Sequence, residues 1–364
     1  MTKPRARDLG LPFPGTPGPF NAITDVPGVT VGFTTLTDPA RRMRTGVTAI
    51  RPRQDQVRPR PVWAGFHSLN GNGEMTGVHW VNDAGYFIGP VLITNTHGIG
   101  ACHHGATEWM IRQYDTHFRE EYAWAMPIVA ETYDGCLNDI NAMHVKPEHA
   151  VAALEAAAGG PVAEGSVGGG NGMIAYEFKG GTGTASRRIE IGGVTYTVAA
   201  LVQANYGIRD WFTVLGVPVG REMPVAPFRD LTRETGSIIV VIATDAPLSD
   251  ALLRGLAKRA GMGIGRSGSP GGNNSGDIFL AFSVADEMAD PLHAGPVITR
   301  RSLNWEEMDD FYEAAVQAVD ESVINAIVQG EDVTCVKPEG TTCPALDTGE
   351  LLRIMAKYGR GPAA

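Results

Sequence analysis

The sequence predicts a layered α/β fold. Three observations carry this: short apolar runs rich in β-branched residues, helical patterns between those runs, and enough glycine and proline for many tight turns. The runs lie at residues 90–96, 126–130, 196–203, 238–243 and 278–282, each nearly continuous in hydrophobicity, which suits strands covered on both faces. Helical patterns occupy 104–118, 147–158, 247–260 and 305–328. In the last, Phe311, Ala315, Val319, Val323 and Ala326 recur at spacings of three or four and make an apolar stripe to set against a sheet. The 46 glycines and 24 prolines fall in clusters such as Asn70-Gly71-Asn72-Gly73 and Gly271-Gly272-Asn273-Asn274, which read as turns. None makes a phosphate-binding loop, and Gly261, Gly263 and Gly265 follow a helix rather than a strand, against a dinucleotide-binding reading.

With 43% hydrophobic and 19% charged residues over 364 positions, the chain can bury a large core. No polar linker divides it, so residues 1–364 are expected to form a single domain. A net charge of -10 and a pI near 5.4 argue against a nucleic-acid partner, which needs clustered Lys and Arg. Lys3, Arg5 and Arg7 precede prolines and glycines where an export signal needs an apolar stretch, and no run approaches the roughly 20 residues that span a bilayer. The expectation is a cytoplasmic protein with no membrane partner.

Cys102, Cys136, Cys335 and Cys343 form no Cys-x-x-Cys spacing and read as plain thiols. His103 and His104 with Glu108 offer ligand types on one helix but lack the further ligand of a catalytic zinc site. No metal and no cofactor are expected. His67, His79 and His97 leave a Ser-His-Asp triad open on spacing, although no Gly-x-Ser-x-Gly elbow marks a nucleophile.

The sharpest chemical signal is Gly236-Ser237 at the head of the apolar run Ile238-Ile239-Val240-Val241-Ile242-Ala243. Glycine lets the backbone bend so that the serine oxygen can attack the preceding carbonyl. An N-to-O acyl shift and hydrolysis would then free Ser237 with an amine whose reference pKa of about 7.7–8.0 suits it as the base for its own hydroxyl. Gly165-Ser166 and Gly268-Ser269 compete less well, because no buried strand follows either to hold a new terminus.

The segment 236–248 (Gly-Ser-Ile-Ile-Val-Val-Ile-Ala-Thr-Asp-Ala-Pro-Leu) resembles the cleavage segment of the L-aminopeptidase/D-esterase and β-peptidyl aminopeptidase family, peptidase family S58. Segments 72–77 (Asn-Gly-Glu-Met-Thr-Gly), 92–97 (Leu-Ile-Thr-Asn-Thr-His), 131–135 (Glu-Thr-Tyr-Asp-Gly), 165–170 (Gly-Ser-Val-Gly-Gly-Gly) and 275–279 (Ser-Gly-Asp-Ile-Phe) also resemble its motifs, in the family's order, from about residue 20 to about residue 330. The resemblance implies an αββα sandwich like that of N-terminal nucleophile hydrolases, of the DOM-fold type, cleaved into 1–236 and 237–364 and assembled as a homotetramer. It implies Ser237 as nucleophile, with Ser275 relaying to it and Asp277 orienting that relay. Asn205 would help bind the oxyanion, Tyr133 would steady oxyanion or nucleophile, and Glu131 would hold the ammonium of a small peptide or amide substrate.

Two other readings stand beside self-processing aminopeptidase or amidase activity. Acyl transfer of the ornithine acetyltransferase type uses a related fold, but with a threonine where this chain has Ser237. A non-catalytic binding protein on the same scaffold would have no need of Ser237, Ser275, Asp277 and Asn205 together.

Overall fold

The computed structural model describes residues 3–361 apart from 56, 230–232, 286–290 and 292. The strands are β1 (Thr30–Asp38), β2 (Met43–Arg51), β3 (Pro61–Ser68), β4 (Tyr86–Ile88), β5 (Val91–Asn95), β6 (Ile128–Thr132), a short hairpin of β7 (Ile174–Ala175) and β8 (Phe178–Lys179), β9 (Gly181–Ile191), β10 (Val194–Asn205), β11 (Ser237–Thr244) and β12 (Gly276–Ser283). The helices are α1 (Val78–Ala84), α2 (Ile99–Gln113), α3 (Asp115–Glu120), α4 (Pro147–Glu155), α5 (Val219–Glu222), α6 (Asp250–Arg266), α7 (Met308–Val328) and α8 (Thr348–Lys357). All five predicted apolar runs are strands.

Two sheets stack face to face. One has the order β1-β2-β5-β6 and the other β4-β3-β12-β11-β10-β9. Alternation along each strand sends Ile93 and Ala130 of the smaller sheet against Leu201, Ile239, Val241 and Leu280 of the larger. The opposite face of the larger sheet carries Val240, Ile242 and Phe279 against α6 and α7, through Leu256, Val319 and Val323. Leu92 and Val129 of the smaller sheet face α2 and α4, through Met110 and Leu154. Three apolar interfaces thus separate four layers, the αββα order that the family resemblance implies. Every position of β11 is buried, and each Val or Ile withdrawn from water there contributes about 1.5–3 kcal/mol.

The helices depart from the sequence expectation in instructive ways. The pattern at 104–118 is two helices: α2 begins at Ile99, and Tyr114, at φ -119 and ψ 40, breaks it from α3. α6 starts at Asp250 because the Ser249 side chain accepts from Leu252 N, and it runs on through Gly261, Gly263 and Gly265. Those glycines lie within the helix, and a Cβ at Gly263 would lie 2.6 Å from Cβ of Val319, so the glycine sets how closely α6 and α7 approach. α7 is buried beyond its apolar stripe. Its Glu321 accepts from Arg187 at 2.6 Å and from Arg7 at 2.9 Å, so the N-terminal segment covers the polar side. Beyond the matched motifs, α8 inserts Leu351, Ile354 and Met355 into the outer core.

Candidate active site

Register brings the chemistry together at one end of the larger sheet. Ser237, the first residue of β11, pairs with Asn205, the last of β10, and with Gly276, the first of β12. The β10–β11 pairing is antiparallel and the β11–β12 pairing parallel, so a strand end, a strand start and the scissile peptide meet.

Ser237 is 6% exposed. Its Oγ donates to the Gly236 carbonyl oxygen at 2.7 Å. The Gly276 N–H donates to Ser237 Oγ at 3.2 Å and lies 3.4 Å from the Gly236 oxygen. Nucleophile, target carbonyl and a fixed dipole therefore share one small volume. Gly236 is required there by sterics: a Cβ would sit 2.2 Å from Asn205 O and 2.6 Å from Tyr206 Cα, both backbone atoms.

Ser275 Oγ donates to Asp277 Oδ1 at 2.6 Å, and Asn70 Nδ2 donates to Oδ2 at 3.2 Å. Burial pushes the Asp277 carboxyl above its ordinary range, opposed by those two donors and the Ile238 N–H. Asp277 alternates with Phe279 on the helix side of the sheet, while Ser237 alternates with Ile239 on the inter-sheet side. Among the described residues, Ser237 Oγ bonds to Gly236 and Gly276 and not to Ser275. In the continuous chain the expected relay thus flanks the nucleophile without touching its hydroxyl.

Asn205 is held from both ends of its amide. Its Oδ1 accepts from Ile174 N and its Nδ2 donates to Tyr133 O, both at 2.9 Å, which leaves one amide hydrogen for another acceptor. Tyr133 meets this network through its carbonyl. The residue is 49% exposed, and its phenol lies over Gly135, where a Cβ would fall 2.2 Å from Oη, rather than on Ser237.

Glu131 ends up 4% exposed in β6. It accepts from Thr96 Oγ1 and, at 3.1 Å, from Glu74 N. No Lys, Arg or His among the described residues forms an ion pair with it. Burial raises its pKa most, the Glu74 carboxylate adds to that, and the two hydrogen bonds and His97 oppose. A Cβ at Gly73 would lie 3.1 Å from Glu131 Oε1 and 3.6 Å from Gly276 Cα, so the carboxylate and the head of β12 are within about 7 Å of each other.

Sequence reasoning missed several participants. The Gly276 N–H carries no side-chain signal, Thr96 lies in the motif 92–97 without a role there, and Asn70 reads as a turn residue. Glu74, within the motif 72–77, enters through its backbone N–H. Among the described residues no group of three or more His, Cys, Asp or Glu could hold a metal, and His103, His104 and Glu108 form no such group. The four cysteines are free thiols, Cys102 pushed up to about 12 by burial.

Known proteins resemble this chain over nearly its whole length. The beta-peptidyl aminopeptidase BapA of Sphingosinicella microcystinivorans is 47% identical, covering 99% of this chain and 94% of that protein. The solved L-aminopeptidase D-Ala-esterase/amidase of Ochrobactrum anthropi, described as a prototype for the serine aminopeptidases and a new variant of the Ntn hydrolase fold, superposes with a TM-score of 0.93 at 51% identity, covering 99% of this chain and 100% of its own. A Burkholderia sp. beta-aminopeptidase gives a TM-score of 0.89 at 43% identity, covering 98% and 99%. The profile of peptidase family S58 matches residues 21–340, and the chain, an Ntn-hydrolase fold in its architecture, belongs to that family.

Proposed function

We propose that this chain is a self-processing serine aminopeptidase that cuts itself between Gly236 and Ser237 and then releases N-terminal amino acids from small peptides or amides. The observation that carries the reading is the 2.7 Å contact of Ser237 Oγ with the Gly236 oxygen, with the Gly276 N–H directed at both. The hydroxyl oxygen attacks the Gly236 carbonyl carbon, and the Gly276 N–H supports the oxygen as it gains charge. The hydroxyl proton passes to the Ser237 nitrogen as collapse breaks the C–N bond, which frees the amine and leaves an ester that water hydrolyses to the Gly236 carboxylate and the restored hydroxyl. In turnover the neutral amine takes the hydroxyl proton as Oγ attacks the substrate carbonyl and passes it to the leaving amine as the C–N bond breaks; water then hydrolyses the aminoacyl ester, which releases the amino acid and restores the hydroxyl.

Ser275 and Asp277 sit close to where the freed amine emerges and orient it. Asn205 offers its remaining amide hydrogen to the oxyanion, and loss of one such donor costs roughly 3–4 kcal/mol. Tyr133 fixes Asn205 through its carbonyl, with its phenol over Gly135. Glu131, buried without a cation, pairs with the substrate ammonium. The aminopeptidase relatives favour hydrolysis over acyl transfer or a non-catalytic role. Tetrameric assembly of cleaved units and a cytoplasmic location belong to the same proposal, the first resting on family resemblance. No helix among the described residues is long and apolar enough to cross a membrane.

A denaturing gel with intact-mass measurement tests the central step. Wild type should give chains 1–236 and 237–364, and Ser237→Ala a single 38.7 kDa chain. A single chain from wild type, or the same two chains from Ser237→Ala, would overturn it.

A further inference from the structure

Glu234 stands two residues ahead of Gly236 on the approach to β11, and it is only 5% exposed. Its two oxygens reach different parts of the site. Oε1 accepts from the N–H of Gly207, two residues beyond Asn205. Oε2 accepts from the N–H of Gly272 at 2.9 Å. The Gly272 carbonyl in turn accepts from Ser275 N and from Asn70 Nδ2, both at 3.0 Å, and the same Asn70 amide donates to Asp277. One carboxylate therefore straps the chain before the scissile bond to the Asn205 strand on one side and to the Ser275–Asp277 loop on the other.

The local sequence is shaped for this contact. A Cβ at Gly272 would lie 2.2 Å from Glu234 Oε2, and Gly207 takes φ +84, a conformation that side chains disfavour. No Lys, Arg or His among the described residues forms an ion pair with Glu234, so two backbone N–H groups alone offset the cost of burying a charge. An apolar side chain would fill the space more cheaply, but it could not bridge two N–H donors.

We propose that Glu234 is a positioning residue for self-cleavage: its carboxylate fixes the chain ahead of Gly236 so that the Gly236 carbonyl is presented to Ser237 Oγ. This rests on the reading that the chain cuts itself at Gly236–Ser237. A substrate carbonyl is not part of the strapped chain, so turnover depends on Glu234 less than self-cleavage does. Replacing the carboxylate by an amide leaves one acceptor and turns an NH2 group against the second N–H. Displacement of the scissile carbonyl by a fraction of an ångström to about 1 Å is enough to cost between ten- and a hundredfold in rate.

The test follows the full chain on denaturing gels. With Glu234→Gln, the 237–364 chain should form at least about tenfold more slowly than in wild type. Turnover per titrated Ser237 in the cleaved fraction should change less than about threefold, a split that a general structural role would not produce. In parallel, Ser237→Ala is compared with Ser237→Ala/Glu234→Gln, neither of which can cleave, and the two should melt within about 3 °C of one another. Cleavage of Glu234→Gln at the wild-type rate overturns the proposal. So does a melting temperature several degrees lower in the double variant, or an equal fall in cleavage and turnover. Wild type that stays a single chain instead removes the self-cleavage reading beneath it.

Discussion

Replacing Glu131 with Gln should weaken the enzyme and strengthen the empty protein. The carboxylate is 4% exposed, is held by Thr96 and the Glu74 N–H, and has no cationic partner among the described residues. A substrate ammonium docked there gains a charge-assisted hydrogen bond worth about 1.5–3 kcal/mol, which Gln cannot supply. On a free-amine aminoacyl p-nitroanilide, kcat/KM should therefore fall by ~10- to 150-fold, carried by KM where binding and transition state share the contact. Wild type should reject the N-acetyl analogue, which would leave the carboxylate buried and unpaired, and Gln should narrow that preference.

The pH dependence has a definite sign. Because burial raises the folded pKa of Glu131, its ionised form costs stability in full above that pKa, and the cost fades as pH falls through it and is gone below the unfolded value. Glu131→Gln should accordingly raise the melting temperature at neutral pH and lose that advantage in acid. The acid limb of kcat/KM set by the Ser237 amine should persist in the variant, while the further fall that protonation of Glu131 adds at lower pH should be lost. Equal rates on free and acetylated substrates in wild type, or a lower melting temperature for Glu131→Gln at neutral pH, would refute the assignment of an unpaired, amine-binding carboxylate.

Gly236→Ala places a methyl 2.2 Å from Asn205 O, so the scissile peptide must move by about 1 Å, and self-cleavage followed by gel should slow about a hundredfold; wild-type speed would show that the β10 edge yields. Asp277→Asn keeps the shape but turns an NH2 group toward either Ser275 Oγ or Asn70 Nδ2, both donors in the present network. It should retain a cooperative melt while slowing both cleavage and turnover, and unchanged rates of both would reduce Asp277 to a turn residue.

The amino-acid sequence by itself determined the elements whose signal is local. β11 is legible because Ile238 to Ala243 are all apolar and rich in β-branching, and a strand buried on both faces needs nothing else. The stripe of α7 and the Gly236–Ser237 junction are equally local. α8 is marked locally too, since Leu351, Ile354 and Met355 carry helical spacing.

Only the tertiary structure decided how these pieces meet. That Asn205 lies opposite Ser237 depends on the β10–β11 register, and a slip of one residue would send Asn205 to the other face of the sheet. Alternation also sets Asp277 on the helix side while Ser237 faces the other sheet, a separation the motif Ser275-Gly276-Asp277 does not announce. The isolation of Glu131 and the strap made by Glu234 are decided by backbone N–H groups and by which cations stay away. A backbone donor has the same chemistry at every residue but proline, so its partner is fixed by chain path and burial rather than by side-chain identity.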